Sequence, residues 1–244
     1  QAGAHAITVG SSGRHDTNDF VQLQQALAAE PKDGPNELWL VLIGHGTFDG
    51  KEAKFNLHGS DLTATDLALW LQPFQRPVAV LNTASASGPF INRLSASNRV
   101  ILTATRTVHG PAHRDLSRFG QHLAAAIADP ESDLDKDGQT SLLEAFLMAS
   151  RQVAEFYKTE GRLATEHALL DDNGDGRGTP ADWFRGIRAV KKAKDSALPD
   201  GLRAHQFHLV RSVADQQLSP ALRAQRDALE DALARLRESK PRIS

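Results

Sequence analysis

Two rhythms of apolar and polar positions alternate along the first two-thirds of this chain. ELWLVLIG (37–44), PVAVLNT (77–83) and RVILTAT (99–105) are short unbroken apolar runs, the pattern of strands covered on both faces. HAITVG (5–10) is a similar candidate and AKFNL (53–57) a weaker one. Between them the period lengthens. Phe20, Leu23 and Leu27 recur at helical spacing within 16–30, with an Asp or Thr as cap. TATDLALWL (63–71) predicts a helix capped by Thr63, GPFINRLSA (88–96) a short one, and LSRFGQHLAAAIAD (116–129) one stopped by Pro130. Strands separated by helices predict a mostly parallel sheet inside a three-layer α/β/α sandwich. Phe20, Phe55, Trp70, Phe119, Phe146 and Trp183 fall on apolar positions and read as core.

The pattern changes after residue 130. A long amphipathic helix is expected over 141–161, ending at Gly161. Near the end, Leu222, Leu229 and Leu236 recur every seven residues, Leu233 widens the stripe, and Pro220 stands at the helix start. Such a helix needs a partner surface: its own domain, a helical hairpin, or a dimer seam. The reading is therefore one α/β domain over 1–212 and a helical tail over 213–244.

Composition narrows the function classes. The 244 residues suffice for a well-buried core, and 40% apolar with 24% charged content is ordinary for a globular protein. A net charge of −2 gives no field that would gather nucleic acid or an anionic membrane. Without cysteine, disulfides, thiolate metal sites and a cysteine nucleophile are excluded from the chain as given. No apolar run approaches the ~20 residues of a spanning helix. Residues 1–15 lack a basic start followed by an apolar stretch, so no signal peptide is read there.

The strongest motif is DLDKDGQTSLLE (133–144). Calcium prefers six to eight oxygens in a flexible loop, which the EF-hand loop supplies at fixed offsets. Asp133, Asp135 and Asp137 match its first three acidic positions, and Gly138 its sharp turn. Gln139 would offer a backbone carbonyl, Ser141 a hydroxyl or bridging water, and Glu144 a bidentate carboxylate. The competing reading is a solvated acidic loop. A second run, 171–182, repeats the pattern less completely, with Asp171, Asn173, Asp175, Gly176, Arg177, Thr179 and Asp182 at the same offsets. Asp182 is shorter than Glu, and Gly178-Thr179-Pro180 breaks any following helix. The alternative for that run is an Asn/Gly/Asp turn. Calcium is the expected cofactor, and its loops, with no cysteine, favour an extracytoplasmic setting.

Ligands of open parallel sheets sit at the carboxyl ends of the strands. Here one strand runs into His45-Gly46-Thr47 and another into Ala84-Ser85-Ala86-Ser87-Gly88. If these strands are neighbours, His45 and Ser85 share a crevice. His45 is then the candidate base, Ser85 the hydroxyl nucleophile, and Gly46 the N–H facing an oxyanion. On spacing alone, a strand-end histidine and a helix cap is the favoured alternative, because a single His–Ser pairing is a weak motif.

LWLVLIGHGTFDG followed by NTASASGPFI resembles the legumain branch of the caspase-like cysteine peptidases. There a buried strand ends in His-Gly, and the next ends in a Cys-x-Ser-Gly turn bearing the nucleophile. RVILTATR (99–106) is similar to the following strand, which borders the specificity pocket. The likeness spans roughly 36–128, and the calcium loops resemble bacterial members of the same group. It implies the caspase-like fold, peptide-bond hydrolysis and a peptide or protein ligand in the cleft. It also implies a pocket role for Arg106, for which a surface pairing with Asp115 is the alternative.

Two departures stand out. Ser85 occupies the position of the family's cysteine; a hydroxyl needs an oriented base to become a nucleophile, whereas a thiol ionises near neutrality. Asp49 is near His45 in sequence, but nothing there fixes its direction. The chain is therefore expected to be an inactive or weakly active pseudopeptidase. An active peptidase using Ser85, a cysteine enzyme altered to serine, and a calcium-dependent interaction module remain as alternatives. The family also opens with an additional strand and helix, so either an upstream segment completes the sheet or HAITVG is itself the first strand of an abbreviated fold. The other histidines gain no metal role: Gly110-Pro111 separates His109 from His113, and His205 with His208 lacks an evident third ligand.

Overall fold

A computed structural model describes residues 5–10, 18–106, 117–194, 196 and 198–239. The expectations for His15, His109, His113, Asp115 and the start of the 116–129 helix lie outside the described residues.

The fold is mixed α/β. Its central sheet has the order β1-β5-β6-β7-β8, formed by β1 (Leu38–Leu42), β5 (Val78–Asn82), β6 (Arg99–Thr103), β7 (Leu169–Asp171) and β8 (Thr179–Pro180). The first three strands are parallel, while β7 and β8 join antiparallel. The mostly parallel sheet is therefore corrected to a mixed one. After β6 the chain reaches β7 through two packed helices, which deliver it to the sheet running the other way. β2 (Gly46–Phe48), β3 (Ala53–Phe55) and β4 (Leu62–Thr63) form a small antiparallel meander beyond β1; β9 (Phe184–Arg185) and β10 (Arg188–Ala189) form a hairpin.

Helices cover both sheet faces. Val78, Val80 and Ile101 point into a core with Leu23 and Leu27 of α1 (Asp19–Ala29), Leu67 and Leu71 of α2 (Ala64–Leu71), and Phe90 and Leu94 of α3 (Pro89–Leu94). Ala79, Leu81, Val100 and Leu102 point the other way. They meet Phe119 and Leu123 of α4 (Arg118–Ala128), Phe146 and Val153 of α5 (Leu142–Thr159), and Ala204 of α6 (Leu202–Gln206). β5 and β6 are buried at every position, as unbroken apolar runs require.

Caps define the helix starts. Thr63 and Asp66 form a reciprocal capping box on α2, as Ser141 and Glu144 do on α5. Asn18, rather than an Asp or Thr, caps α1 by accepting from the Val21 N–H. Trp183 is half-buried in a 3-10 turn, outside both cores.

Two strand expectations are corrected. β1 is the sheet edge, and the face carrying Val41 and Ile43 is open, those residues being 47% and 72% exposed. Residues 5–10 form no strand; among the described residues they have no pairing partner, and only Val9 packs against a core. α7 (Val213–Gln217) and α8 (Pro220–Ser239) follow. Asp215, 3% exposed, accepts from Arg211 and Arg226 and so ties α8 to the segment before α7. Leu222, Leu229 and Leu233 face outward, 53%, 64% and 46% exposed.

Candidate functional site

Parallel pairing of β1 with β5 brings the turns after both strands together. The Ser85 hydroxyl donates to the Gly46 carbonyl at 2.9 Å and lies 3.3 Å from the Gly46 N–H. The approach is so close that a Cβ on residue 46 would overlap the Ser85 carbonyl. Ala86 follows with φ +53°, a conformation rare for a residue with a Cβ, so the turn presenting Ser85 is strained. Thr105 holds that turn from the end of β6. Its hydroxyl accepts from the Ser87 N–H at 3.0 Å and meets the Ser87 hydroxyl at 3.2 Å. The Thr105 N–H returns a bond to that same hydroxyl at 3.2 Å.

Beside Ser85 opens a cavity of about 740 Å³. Val41, Ile43 and Leu81 from the sheet and Leu123 and Ile127 from α4 give it apolar walls. Glu166 lines it too, but its carboxylate is occupied, accepting from the Phe119 N–H, the Ser117 hydroxyl and the Tyr157 hydroxyl.

The other residues of the expected dyad are less organised. His45 precedes Gly46, its side chain is exposed, and no hydrogen bond joins it to Ser85 among the described residues. Asp49 does not orient it. The Asp49 carboxylate pairs with Lys54 at 2.9 Å and accepts from the N–H groups of Lys51 and Glu52. The Lys54 bond and then those amides hold it well below the usual carboxylate range. Arg106 is exposed, with its main-chain carbonyl packed against Gly88.

The loop over 133–144 gathers acidic oxygens. Asp133 accepts from Lys136 and Gly138 N–H groups at 2.7 and 3.1 Å, Asp135 from Asp137 at 3.2 Å, and Asp137 from Gln139 at 3.0 Å. Gly138 has φ +88°, as the turn requires. Glu144, 1% exposed, folds back onto the loop and accepts from the Leu134 N–H at 2.7 Å. One oxygen each from Asp133, Asp135 and Asp137 lies within 4.8 Å of the other two. This donor set fits a hard cation. The Gln139 side chain is engaged elsewhere, accepting from the Ser212 N–H and donating to Asp137.

Sequence reasoning set His205 aside for want of a third ligand. Its Nε2 stands 2.9 Å from Asp135 Oδ2, and Asp135, Glu144 and His205 form a second group within the same 4.8 Å limit. No spacing rule signals this, because α6 reaches the loop only by packing on α5.

The 171–182 run starts inside the sheet. Asp171 Oδ1 accepts from Gly174 N–H, Asn173 from Asp175, and Asp175 from Arg177. Burial pushes the Asp171 carboxyl up to about 6, against the lowering effect of a hydrogen bond from the Ser95 side chain and with the nearby Asp175 charge adding to the rise. The Arg177 side chain turns to the Lys194 carbonyl. Asp182 is exposed in the 3-10 turn and is tied to nothing in the loop. Behind this run, Asp172 accepts from the Gly201 and Ala204 N–H groups at the start of α6, and Asp200 accepts from the Asp172 and Asn173 N–H groups. Burial raises both carboxyls, Asp200 to about 8.

No family model matches the chain, and no curated protein is significantly similar to it. Among the described residues no helix is long and apolar enough to cross a membrane.

Proposed function

We propose that the chain is a caspase/legumain-like peptidase-fold protein that binds an extended peptide or protein segment beside Ser85. The observation that carries this reading is the meeting of Ser85 Oγ with the main chain of Gly46 at paired strand ends, next to a large apolar cavity. A reacting carbonyl brought to residue 85 would find the Gly46 N–H close by, where an oxyanion donor is useful. The cavity walls suit apolar side chains of a ligand.

Ser85 makes the protein inactive or weakly active. Its proton is engaged by a carbonyl, no base among the described residues is hydrogen-bonded to it, and a hydroxyl is a poor nucleophile without one. Calcium in the 133–144 loop is the proposed cofactor. It would fix the junction between α4 and α5, the helices that wall the side of the sheet opposite α1.

The test is the Ser85→Cys variant assayed against a fluorogenic peptide library. The expected result is turnover by that variant, removed by His45→Ala and absent from the unmodified chain. Robust turnover by the unmodified chain that Ser85→Ala abolishes would overturn the inactive reading. Inertness of a folded Ser85→Cys protein towards every peptide, in both turnover and binding, would overturn the peptidase kinship.

A further inference from the structure

The net charge of −2 conceals an uneven distribution. Residues 183–194, WFRGIRAVKKAK, carry five cations (Arg185, Arg188, Lys191, Lys192 and Lys194) and no acid. All five are exposed. Exposed charges act over roughly 8–10 Å in physiological salt, so a nearby surface feels this run and not the average of the molecule.

The fold aims the charges outward. The chain leaves β8, at the opposite edge of the central sheet from β1, and turns through the β9–β10 hairpin at Gly186, whose φ is +55°. Phe184 and Ile187 pack against the core, Phe184 with its ring 6.4 Å from that of Phe146. Successive strand residues point to opposite faces, so Arg185 turns away from the core that Phe184 meets. Arg188 stands directly opposite Arg185 in the hairpin register, which puts both side chains on that outward face. Like charges placed opposite one another destabilise a hairpin. Among the described residues neither arginine has an ion-pair partner, and neither do Lys191 and Lys194. The Arg177 side chain donates to the Lys194 carbonyl and brings a further cation to the end of the run. An anion seated between the paired arginines turns their repulsion into attraction.

We propose that the β9–β10 hairpin and its basic extension to Lys194 bind the anionic headgroup surface of a phospholipid membrane. Arginine forks match phosphate oxygens and lysines add point charge. A cluster of four to eight such cations is the size that anionic lipid surfaces attract. The build of the segment favours lipid over nucleic acid. Residues 191–193 lie outside helix and strand, and a fluid headgroup layer demands no fixed register from them. Trp183 and Phe184 are half-buried, so neither ring stands open for a base to stack on. Val190, 41% exposed among the cations, offers an apolar contact at the headgroup boundary. None of these residues lines the Ser85 cavity, so the surface stands apart from the peptide cleft.

The experiment sediments the full chain with vesicles of equimolar phosphatidylcholine and phosphatidylglycerol, and with vesicles of phosphatidylcholine alone. EDTA is present throughout, so that calcium does not bridge acidic loops to lipid. The expected result is binding to the mixed vesicles only, released in about 1 M sodium chloride, where the screening length falls to about 3 Å. Arg185→Gln with Arg188→Gln, and separately Lys191→Gln with Lys194→Gln, should each weaken binding roughly 25-fold, about fivefold for each charge removed. Arg235→Gln with Arg237→Gln removes two exposed cations from α8 and should bind as the parent does. If the arginine pair variant fails to fold, the lysine variant makes the same comparison. No binding to the mixed vesicles, equal binding to phosphatidylcholine alone, or a loss in the α8 variant that the hairpin variants do not share would overturn the proposal. So would a duplex DNA oligonucleotide that binds more tightly than the vesicles and is released by the same substitutions, which would assign the surface to nucleic acid.

Discussion

The Ser85 hydroxyl and the Gly46 main chain touch at both hydrogen-bonding groups of the glycine, so the turns after β1 and β5 are fastened to one another. The contact needs a residue without a side chain, because a Cβ at 46 would overlap the Ser85 carbonyl. Backbone cannot yield as a side-chain tip does. Gly46→Ala should therefore destabilise the fold by about 1–3 kcal/mol, the usual cost of overpacking. It should also push the Ser85 turn out of place. Urea unfolding measures the first effect. In a Ser85→Cys background, the rate of thiol alkylation at residue 85 measures the second. An alanine variant equal to its parent in both would show that the turns separate freely.

Thr105 fixes the same turn from the other side, through two hydrogen bonds to Ser87 and a hydroxyl contact, all buried. Thr105→Val keeps the shape and deletes the hydroxyl. The Ser87 N–H then loses its acceptor, at a cost of about 1–3 kcal/mol. Thr105→Ser keeps the hydroxyl and should recover most of that loss. Equal destabilisation by both substitutions would assign the effect to packing of the methyl group.

How legible these features were depends on where each signal resides. β5 and β6 could be read from sequence because both faces are buried, which forces an unbroken apolar run. β1 has the same run yet lies at the sheet edge, with Val41 and Ile43 open; composition cannot tell an edge from a centre. Residues 5–10 have strand composition but no partner edge among the described residues, and strands exist only by pairing. Within the site, the residues that end the strands were visible, while the Ser87–Thr105 bonds and His205 beside Asp135 were not. Each depends on how distant segments pack. Asp171 was legible as an acidic loop position. Its burial at the end of β7 was not, since that follows from the pairing of β7 with β6.

Calcium should stabilise the unmodified chain through the 133–144 loop. Asp133, Asp135, Asp137 and Glu144 place four carboxylates around one turn, and their repulsion is relieved only in the cation-bound folded state. At a hundred times the dissociation constant, the gain is about 2.7 kcal/mol. For a chain of this size that corresponds to a Tm rise of roughly 5–11 °C. Asp135→Asn with Asp137→Asn should remove most of it. Scanning calorimetry with and without EDTA decides; a melting point indifferent to calcium would remove the cation from this loop.

His208 should make stability fall on acidification. It is 5% exposed, its Nδ1 faces the Gln206 carbonyl, and its Nε2 is buried without a hydrogen-bond partner among the described residues. Burial lowers its pKa from 6.5 to about 4; Asp137 opposes the shift, while Arg211 and His205 add to it. Above pH 6.5 the imidazole is neutral in both folded and unfolded chains, and its contribution is complete. Between pH 6.5 and 4 the unfolded chain takes up a proton that the folded one refuses, so stability drains away as pH falls. The loss attributable to this residue is on the order of 3 kcal/mol by pH 4. His208→Phe removes the titration and keeps a ring in the site. Urea unfolding in EDTA at steps from pH 7 to 4.5 should therefore show a shallower decline for His208→Phe than for the parent. Parallel declines would mean that His208 takes its proton equally well in both states.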